Sequence, residues 1–289
     1  MTYRELSSSF DCDGHALVGI VSVPAAPRST GVVIVVGGPQ YRAGSHRQFV
    51  LLARAIVACG FAVLRFDYRG MGDSDGAQRN FEQIDGDIAA AMAALRRDVP
   101  TVERIVLWGL CDGASAALMY WQATRDPVVA GLCLANPWLR SAAGQARTQV
   151  KHYYTQRLRE RAFWTKLLSG KVAWSALTGL ASSLRKLVSN PPETKSTLSC
   201  GTSMAYGIRM AEGWRQFPGP VLLLLSGRDF TAKEFTDTAD RDPAWRGALA
   251  MPKVQRQEFP EADHTFSDLR QCRDVEARTC AWLDGLGAP

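Results

Sequence analysis

The chain has 289 residues with 34 basic and 28 acidic side chains, and 46% of its residues are hydrophobic. This length is sufficient for one large domain with a substantial core, and the composition excludes a disordered chain and a fibrous rod. The longest apolar runs, Val32–Val36 and Val221–Leu225, are strand-sized and argue against a membrane-spanning helix.

Strand and helix patterns alternate through the first half of the chain. Short β-branched runs predict buried strands, and apolar residues at helical spacing predict helices. The short loops between them are typical of right-handed crossovers and a mostly parallel sheet. In chain order the predicted elements are strands Ala16–Val23 and Gly31–Val36, helix His46–Cys59, strand Phe61–Phe66, a helix marked by Ile84 to Leu95, strand Arg104–Trp108, helix Asp112–Gln122 and strand Val128–Ala135.

The alternation stops after this strand. Residues 137–213 show helical patterns without a convincing strand, and strand and helix then alternate again to the end of the chain. The sequence therefore predicts an α/β core from residues 1–136 and 214–289, with a helical basic cap inserted at 137–213. The later elements are strand Val221–Leu225, a helix around Ala232–Leu249, a strand near Val254–Phe259 and a last helix Ser267–Leu286.

The clearest chemical motif is the segment G-L-C-D-G at Gly109–Gly113, which joins a predicted strand to a predicted helix. In a G-x-nucleophile-x-G turn the middle residue has a strained backbone that turns its side chain out of the sheet. A thiol at a helix N-terminus also faces the positive end of the helix dipole, which favours the reactive thiolate. Cys111 is therefore a candidate nucleophile, and a small buried cysteine in a glycine turn is the alternative.

A nucleophile of this kind requires an acid and a histidine that follow it in that order. Asp229 follows the strand Val221–Leu225, and His264 lies in the loop before the last helix. Of the four histidines only His264 has such a position. The sequence predicts a triad of Cys111, Asp229 and His264. Asp263 is the alternative acid, and a helix N-cap is the alternative role of Asp229.

The segment D-Y-R-G-M-G-D-S, residues 67–74, matches a loop frequent in α/β-hydrolases, in which we expect Asp67 and Arg69 to brace the turn. With this loop and the triad order, the chain resembles the α/β-hydrolase superfamily on both sides of the insertion. More narrowly, residues 37–42 (GGPQYR), 44–49 (GSHRQF) and 108–112 (WGLCD) resemble the type 1 exosortase A system-associated hydrolases. Those bacterial proteins are found beside exopolysaccharide and protein-sorting genes. The dienelactone hydrolases, which also use cysteine nucleophiles, usually lack so large a basic insertion.

The resemblance implies an α/β-hydrolase fold and places an oxyanion hole at residues 37–40. The superfamily usually has a histidine here, and Pro39 has no N–H to donate. We therefore expect Gln40 to donate by its main chain or side chain, with the amide of Asp112 as the second donor.

These residues predict a Cys–His–Asp hydrolase that acts on an ester or thioester, with Cys111 attacking the carbonyl, His264 moving the proton and Asp229 orienting His264. No metal or organic cofactor is required. Acyl transfer is the first alternative, because amines and alcohols intercept a Cys thioester as well as water does. The second is a non-catalytic scaffold that binds a partner of an export machinery, which the departures around Pro39 favour.

The positive charge is concentrated in the predicted cap. Residues 140–195 carry eleven Lys or Arg and two Asp or Glu, a net charge of +9, so that the rest of this +6 chain carries −3. Basic residues interleaved with aromatic ones suit an anionic membrane surface, an acidic carrier protein or an anionic glycan. No nucleic-acid-binding motif accompanies them, so nucleic acid is not an expected partner. A solvated lid is the alternative.

The start of the chain and its cysteines set the expected compartment. The first residues lack the apolar stretch of a secretory signal, so we expect a cytoplasmic protein, docked at the inner membrane face if the cap binds lipid. The seven cysteines have no paired short spacing and indicate neither a disulfide framework nor a zinc site. The expected substrate is a small or carrier-bound acyl compound.

Overall fold

The computed structural model describes residues 2–38, 40–139 and 200–286. Among these residues eight strands form a single sheet, in the order first, second, fourth, third, fifth, sixth, seventh, eighth. The first two strands form an antiparallel hairpin, the second pairs antiparallel with the fourth, and the remaining pairs are parallel. The strands are β1 (Tyr3–Cys12), β2 (His15–Pro24), β3 (Thr30–Val35), β4 (Ala62–Asp67), β5 (Arg104–Leu110), β6 (Val129–Ala135), β7 (Val221–Ser226) and β8 (Val254–Phe259).

Helices cover both faces of this sheet. Alternate residues of β3 point to opposite faces, so Val33 and Val35 join one buried apolar cluster while Val32 and Ile34 join the other. The helices are α1 (Gln48–Ala58), α2 (Asp85–Asp98), α3 (Asp112–Thr124), α4 (Cys200–Gln216), α5 (Phe230–Arg241) and α6 (Leu269–Gly285). Residues of α2, α3, α4 and α5 complete the first cluster, and residues of α1 and α6 complete the second.

The predicted mostly parallel sheet between helices is confirmed, with two differences. The strand β1 was not expected; it pairs with β2 through a two-residue turn at Asp13 and Gly14, both of which have positive φ. The single helix predicted over Ala232–Leu249 is wrong. α5 ends at Arg241, and short 3₁₀ turns at Pro243–Trp245 and Ala248–Ala250 follow, because a proline cannot continue a helix.

The predicted cap lies mostly outside the described residues, and its boundaries stay a prediction. The pattern of contacts between residues divides the chain into two compact units. One comprises residues 1–140 and 205–289, and the other comprises residues 141–204. α4 crosses the predicted boundary at residue 213, and its Tyr206, Met210 and Trp214 are buried in the core. Within the described ranges, no helix has the length and apolar character needed to cross a bilayer.

The loop after β4 is held by buried ion pairs, as the sequence predicted for Asp67 and Arg69. The Asp67 carboxylate accepts the main-chain N–H of Arg42 at 2.6 Å and that of Asp73 at 3.1 Å, and it also pairs with the Arg42 guanidinium. Arg69 pairs with Asp87 of α2, Nη2 to Oδ2 at 2.9 Å. Because both carboxylates are buried and fully engaged, the loop is fixed relative to the sheet and α2.

We expect Asp87→Ala to lower the free energy of unfolding by about 3–5 kcal/mol, because it leaves the buried Arg69 guanidinium without its main counter-charge. Urea denaturation measures this loss. Arg54→Gln is the matched control: it breaks a pair with Glu5 in which the Arg54 side chain is 41% exposed, and about 0–1 kcal/mol is expected. Equal losses in the two variants would contradict the prediction.

Candidate active site

The candidate nucleophile lies in a strained turn between β5 and α3. Cys111 has φ 59° and ψ −126° and is the residue before the first turn of α3. A Cβ atom at Gly109 would lie 2.5 Å from the carbonyl oxygen of Gly113, and one at Gly113 would collide with the carbonyl oxygen of Val35. The two glycines therefore permit the close approach of strand and helix that turns Cys111 out of the sheet.

The structure brings the three predicted triad residues together. The ring Nδ1 of His264 is hydrogen-bonded to Oδ2 of Asp229 at 2.8 Å, and the Cys111 side chain lies close enough to the ring to raise the pKa of His264. Cys111 is 7% exposed, and the Asp229 side chain is 6% exposed. A buried carboxylate, an imidazole and a thiol are thus brought together in the order that an activated nucleophile needs.

Asp229 has both of the roles that its sequence context suggested. Its Oδ1 accepts the N–H of Thr231 at 3.0 Å and its Oδ2 accepts the N–H of Ala232 at 3.1 Å, so it caps α5. The same carboxylate contacts His264. The cap holds the carboxylate in place, and this fixes the atom to which the imidazole bonds.

A residue that the sequence reasoning missed positions the histidine loop. Asn136 follows β6 with φ 44° and is fully buried. Its Nδ2 donates to the carbonyl oxygen of His264 at 2.9 Å and to the hydroxyl of Ser226 at 2.9 Å, while its Oδ1 accepts the N–H of Ser226 at 2.8 Å. Asn136 thus ties the ends of β6 and β7 to the loop of His264. The signal in the sequence was an Asn-Pro pair after a buried strand.

The environment of His264 favours its protonated form. Burial opposes a charge on the ring, but the hydrogen bond to Asp229 and the interaction with the nearby Cys111 side chain outweigh it and raise the pKa of His264 to about 10. The ring is therefore protonated at neutral pH and can donate a proton to a leaving group.

The predicted oxyanion donors need a correction at Gln40. Its main-chain N–H donates to the carbonyl oxygen of Gly38 at 2.8 Å, so the main-chain route is closed in this conformation; the side-chain route stays a prediction. The Gln40 Oε1 accepts the N–H of Ser45 at 3.4 Å. The amide of Gly38, which the sequence reasoning did not consider, points instead toward residue 112 and donates to the Asp112 carboxylate. The amide of Asp112 follows the nucleophile directly, as predicted.

The alternative acid, Asp263, is hydrogen-bonded within its own loop. The Asp263 carboxylate accepts the N–H groups of Thr265 at 3.2 Å and Ser267 at 2.9 Å and stays within its loop. Across residues 2–38, 40–139 and 200–286, no three or more His, Cys, Asp or Glu side chains are grouped so that they could hold a metal ion.

The chain is similar to known hydrolases in both sequence and fold. The sequence pattern of the family described as serine aminopeptidase, S33 (Hydrolase_4) matches residues 27–264. The esterase Pf2001 of Pyrococcus furiosus is similar in structure, with a TM-score of 0.63 and 15% identity over 99% of this chain and 93% of that one. A thermostable carboxyl esterase from Bacillus coagulans gives a TM-score of 0.62 and 18% identity over 99% of both chains.

The esterase Est1E of Butyrivibrio proteoclasticus, solved with bound ferulic acid, has a TM-score of 0.62 and 16% identity over 96% of this chain and 98% of that one. No curated protein matches the chain. At these identities the structural likeness shows the fold, and the predicted α/β-hydrolase fold is confirmed.

We expect Asp229→Asn to lower the pKa of His264 from about 10 toward the ordinary value of about 6.5, because the amide keeps the helix cap but removes the negative charge. An NMR titration of the imidazole measures this shift. In the native protein the raised pKa contributes stability that is complete below pH 6.5 and is lost as the pH rises through about 10. That loss should be smaller in the variant.

Asp229→Ala separates the two roles, since it also removes the cap and should lower the free energy of unfolding by a further ~1 kcal/mol. A His264 pKa that is the same in the native protein and in Asp229→Asn would show that this carboxylate does not hold the proton.

Proposed function

The chain belongs to the serine aminopeptidase, S33 family of α/β-hydrolases, and we propose that it hydrolyses a carboxylic ester or thioester with Cys111 as the nucleophile. The observation that carries the proposal is the His264 ring, hydrogen-bonded to Asp229 and close to Cys111, at the strained turn after β5. Three esterases of similar fold support the choice of an ester-like substrate.

The proposed reaction proceeds through a thioester. The Cys111 Sγ attacks the carbonyl carbon, and the negative charge that develops on the carbonyl oxygen is stabilised by the amides of Gly38 and Asp112. Protonated His264 gives its proton to the leaving alcohol or thiol as the bond to it breaks, which leaves an acyl group on Cys111. His264 then takes a proton from water as the water attacks the thioester, and the carbon–sulfur bond breaks to release the carboxylic acid, which restores protonated His264 and the free Cys111 sulfur.

Cysteine at the position of the nucleophile distinguishes this chain from the serine enzyme that names the family. A thioester on Cys111 reacts readily with amines and alcohols, so transfer of the acyl group to an acceptor is the second candidate function. The resemblance to the exosortase-associated hydrolases supports a role beside exopolysaccharide synthesis or protein sorting, with an acceptor or substrate drawn from those systems.

The net charge of +9 on residues 140–195 supports docking on an anionic surface that presents the acyl substrate. These residues lie outside the described ranges, and the proposal rests on their charge. We propose that this segment binds anionic lipid at the cytoplasmic face of the membrane, because aromatic residues are interleaved with the basic ones.

We expect Cys111→Ala to lower the rate of hydrolysis of p-nitrophenyl acetate by at least about 10³-fold, since no other group takes the place of the nucleophile. Iodoacetamide at neutral pH should add one equivalent to the native protein at Cys111 before the other thiols. Burial raises the pKa of four of these, Cys12, Cys133, Cys272 and Cys280.

Cys59→Ala removes a half-buried thiol elsewhere and is the matched control, with hydrolysis and labelling as in the native protein. Equal labelling of Cys59 and Cys111, together with hydrolysis that survives Cys111→Ala, contradicts the proposal and favours the non-catalytic scaffold.

We expect the triple substitution of Arg157, Arg159 and Arg161 with Gln to weaken binding to phosphatidylserine vesicles about a hundredfold at low salt, since each basic residue near such a surface contributes ~1 kcal/mol. Vesicle co-sedimentation at increasing salt measures the change. The control replaces three exposed arginines of the core with Gln, which lowers the total charge equally and should change binding little: Arg96, Arg104 and Arg278. Equal weakening in both proteins would show that total charge, not the basic segment, governs binding.

A further inference from the structure

The carboxylate of Asp112 lies on the amides that the proposed reaction needs. The N–H of Gly38 donates to its Oδ1 at 2.5 Å. The main-chain amides of Gly113 and of Asp112 itself lie close enough to act on the pKa of this carboxylate, which they lower. These are amides of the two segments that flank Cys111, the loop after β3 and the first turn of α3.

The side chain is packed into this place. A Cβ atom at Gly37 would lie 2.6 Å from Oδ1 of Asp112, so the carboxylate rests against bare backbone. The hydroxyl of Tyr68 donates to the carbonyl oxygen of the same Gly38 at 3.4 Å. Burial raises the pKa of Asp112, although the amide hydrogen bonds and the nearby charge of His264 act to lower it. The group is thus a partly buried oxygen acceptor that is hydrogen-bonded to the N–H of Gly38.

A carboxylate oxygen in this position accepts the hydrogen bond that a substrate oxyanion would accept. Both are negatively charged oxygens that accept main-chain N–H groups near the nucleophile. The Gly38 N–H has a single proton to donate and already donates it to Asp112. In addition, two negative oxygens at hydrogen-bond distance from the same donor repel each other. The two occupants therefore exclude each other.

We propose, building on the proposed function, that Asp112 is a self-inhibiting gate of the oxyanion hole: its side chain fills the hole at rest and must turn away before Cys111 can be acylated. Asp112 is then a positioning residue, because it controls access to the donors and does not itself react. The rate of acylation is reduced by the fraction of molecules in which the hole is open. A substrate that displaces this side chain by its own contacts is favoured over one that does not.

The test compares the native protein with Asp112→Ser and Asp112→Asn. The burst of p-nitrophenol from p-nitrophenyl acetate in stopped flow, with the acyl group located on Cys111 by mass spectrometry, gives the acylation rate. If the hole is open in a tenth of molecules or fewer, Asp112→Ser should acylate at least about tenfold faster. Asp112→Asn keeps the shape of the side chain but not its charge, and its acylation rate should lie between those of the native protein and Asp112→Ser. Trifluoromethyl ketones, which form an oxyanion on the thiol, should inhibit Asp112→Ser at correspondingly lower concentrations.

The control is Asp85→Ser, which removes an acidic residue from the first turn of α2 and should leave the acylation rate unchanged. Thermal melting of each variant establishes that it is folded. Acylation of Cys111 that is equal or slower in both folded Asp112 variants overturns the gate while the proposed function stands. No acyl group on Cys111 in any of the proteins overturns the proposed function, and the gate with it.

Discussion

The arrangement of the site depends on one carboxylate that satisfies two demands at once. Asp229 accepts the first N–H groups of α5 and also the imidazole of His264. A buried carboxylate must find donors for both oxygens, and the helix terminus supplies them without any mobile side chain. The orientation of the acid is therefore set by the backbone. Asn136 fixes the loop of His264 from the other side, so the imidazole is held between the ends of two strands.

The strands with the clearest signal in the sequence are those in which burial is complete. β3 and β7 are buried along their whole length, and the unbroken apolar run in the sequence of each strand indicates this burial. β1 was missed because it is an edge strand with mostly exposed polar residues, although the Asp13-Gly14 pair is a strong hairpin signal.

The order of the three triad residues was predictable for a similar reason, since the carboxyl ends of parallel strands share one edge of the sheet. The hydrogen-bond partners were not. Whether Gln40 can donate depends on the path of its loop, which turns the Gln40 amide back onto Gly38. The contacts of Asn136 and of the Asp112 carboxylate join residues 74 to 128 positions apart, and no local pattern reports them.

The anchoring of Asn136 also bears on how such a protein can evolve. The chain leaves the sheet directly after this residue, and it returns through α4, whose Met210 and Trp214 are buried in the core. The departure and the return are each secured by contacts internal to the core. Because both anchors lie in the core, a change of length or sequence between them leaves the anchoring contacts themselves in place.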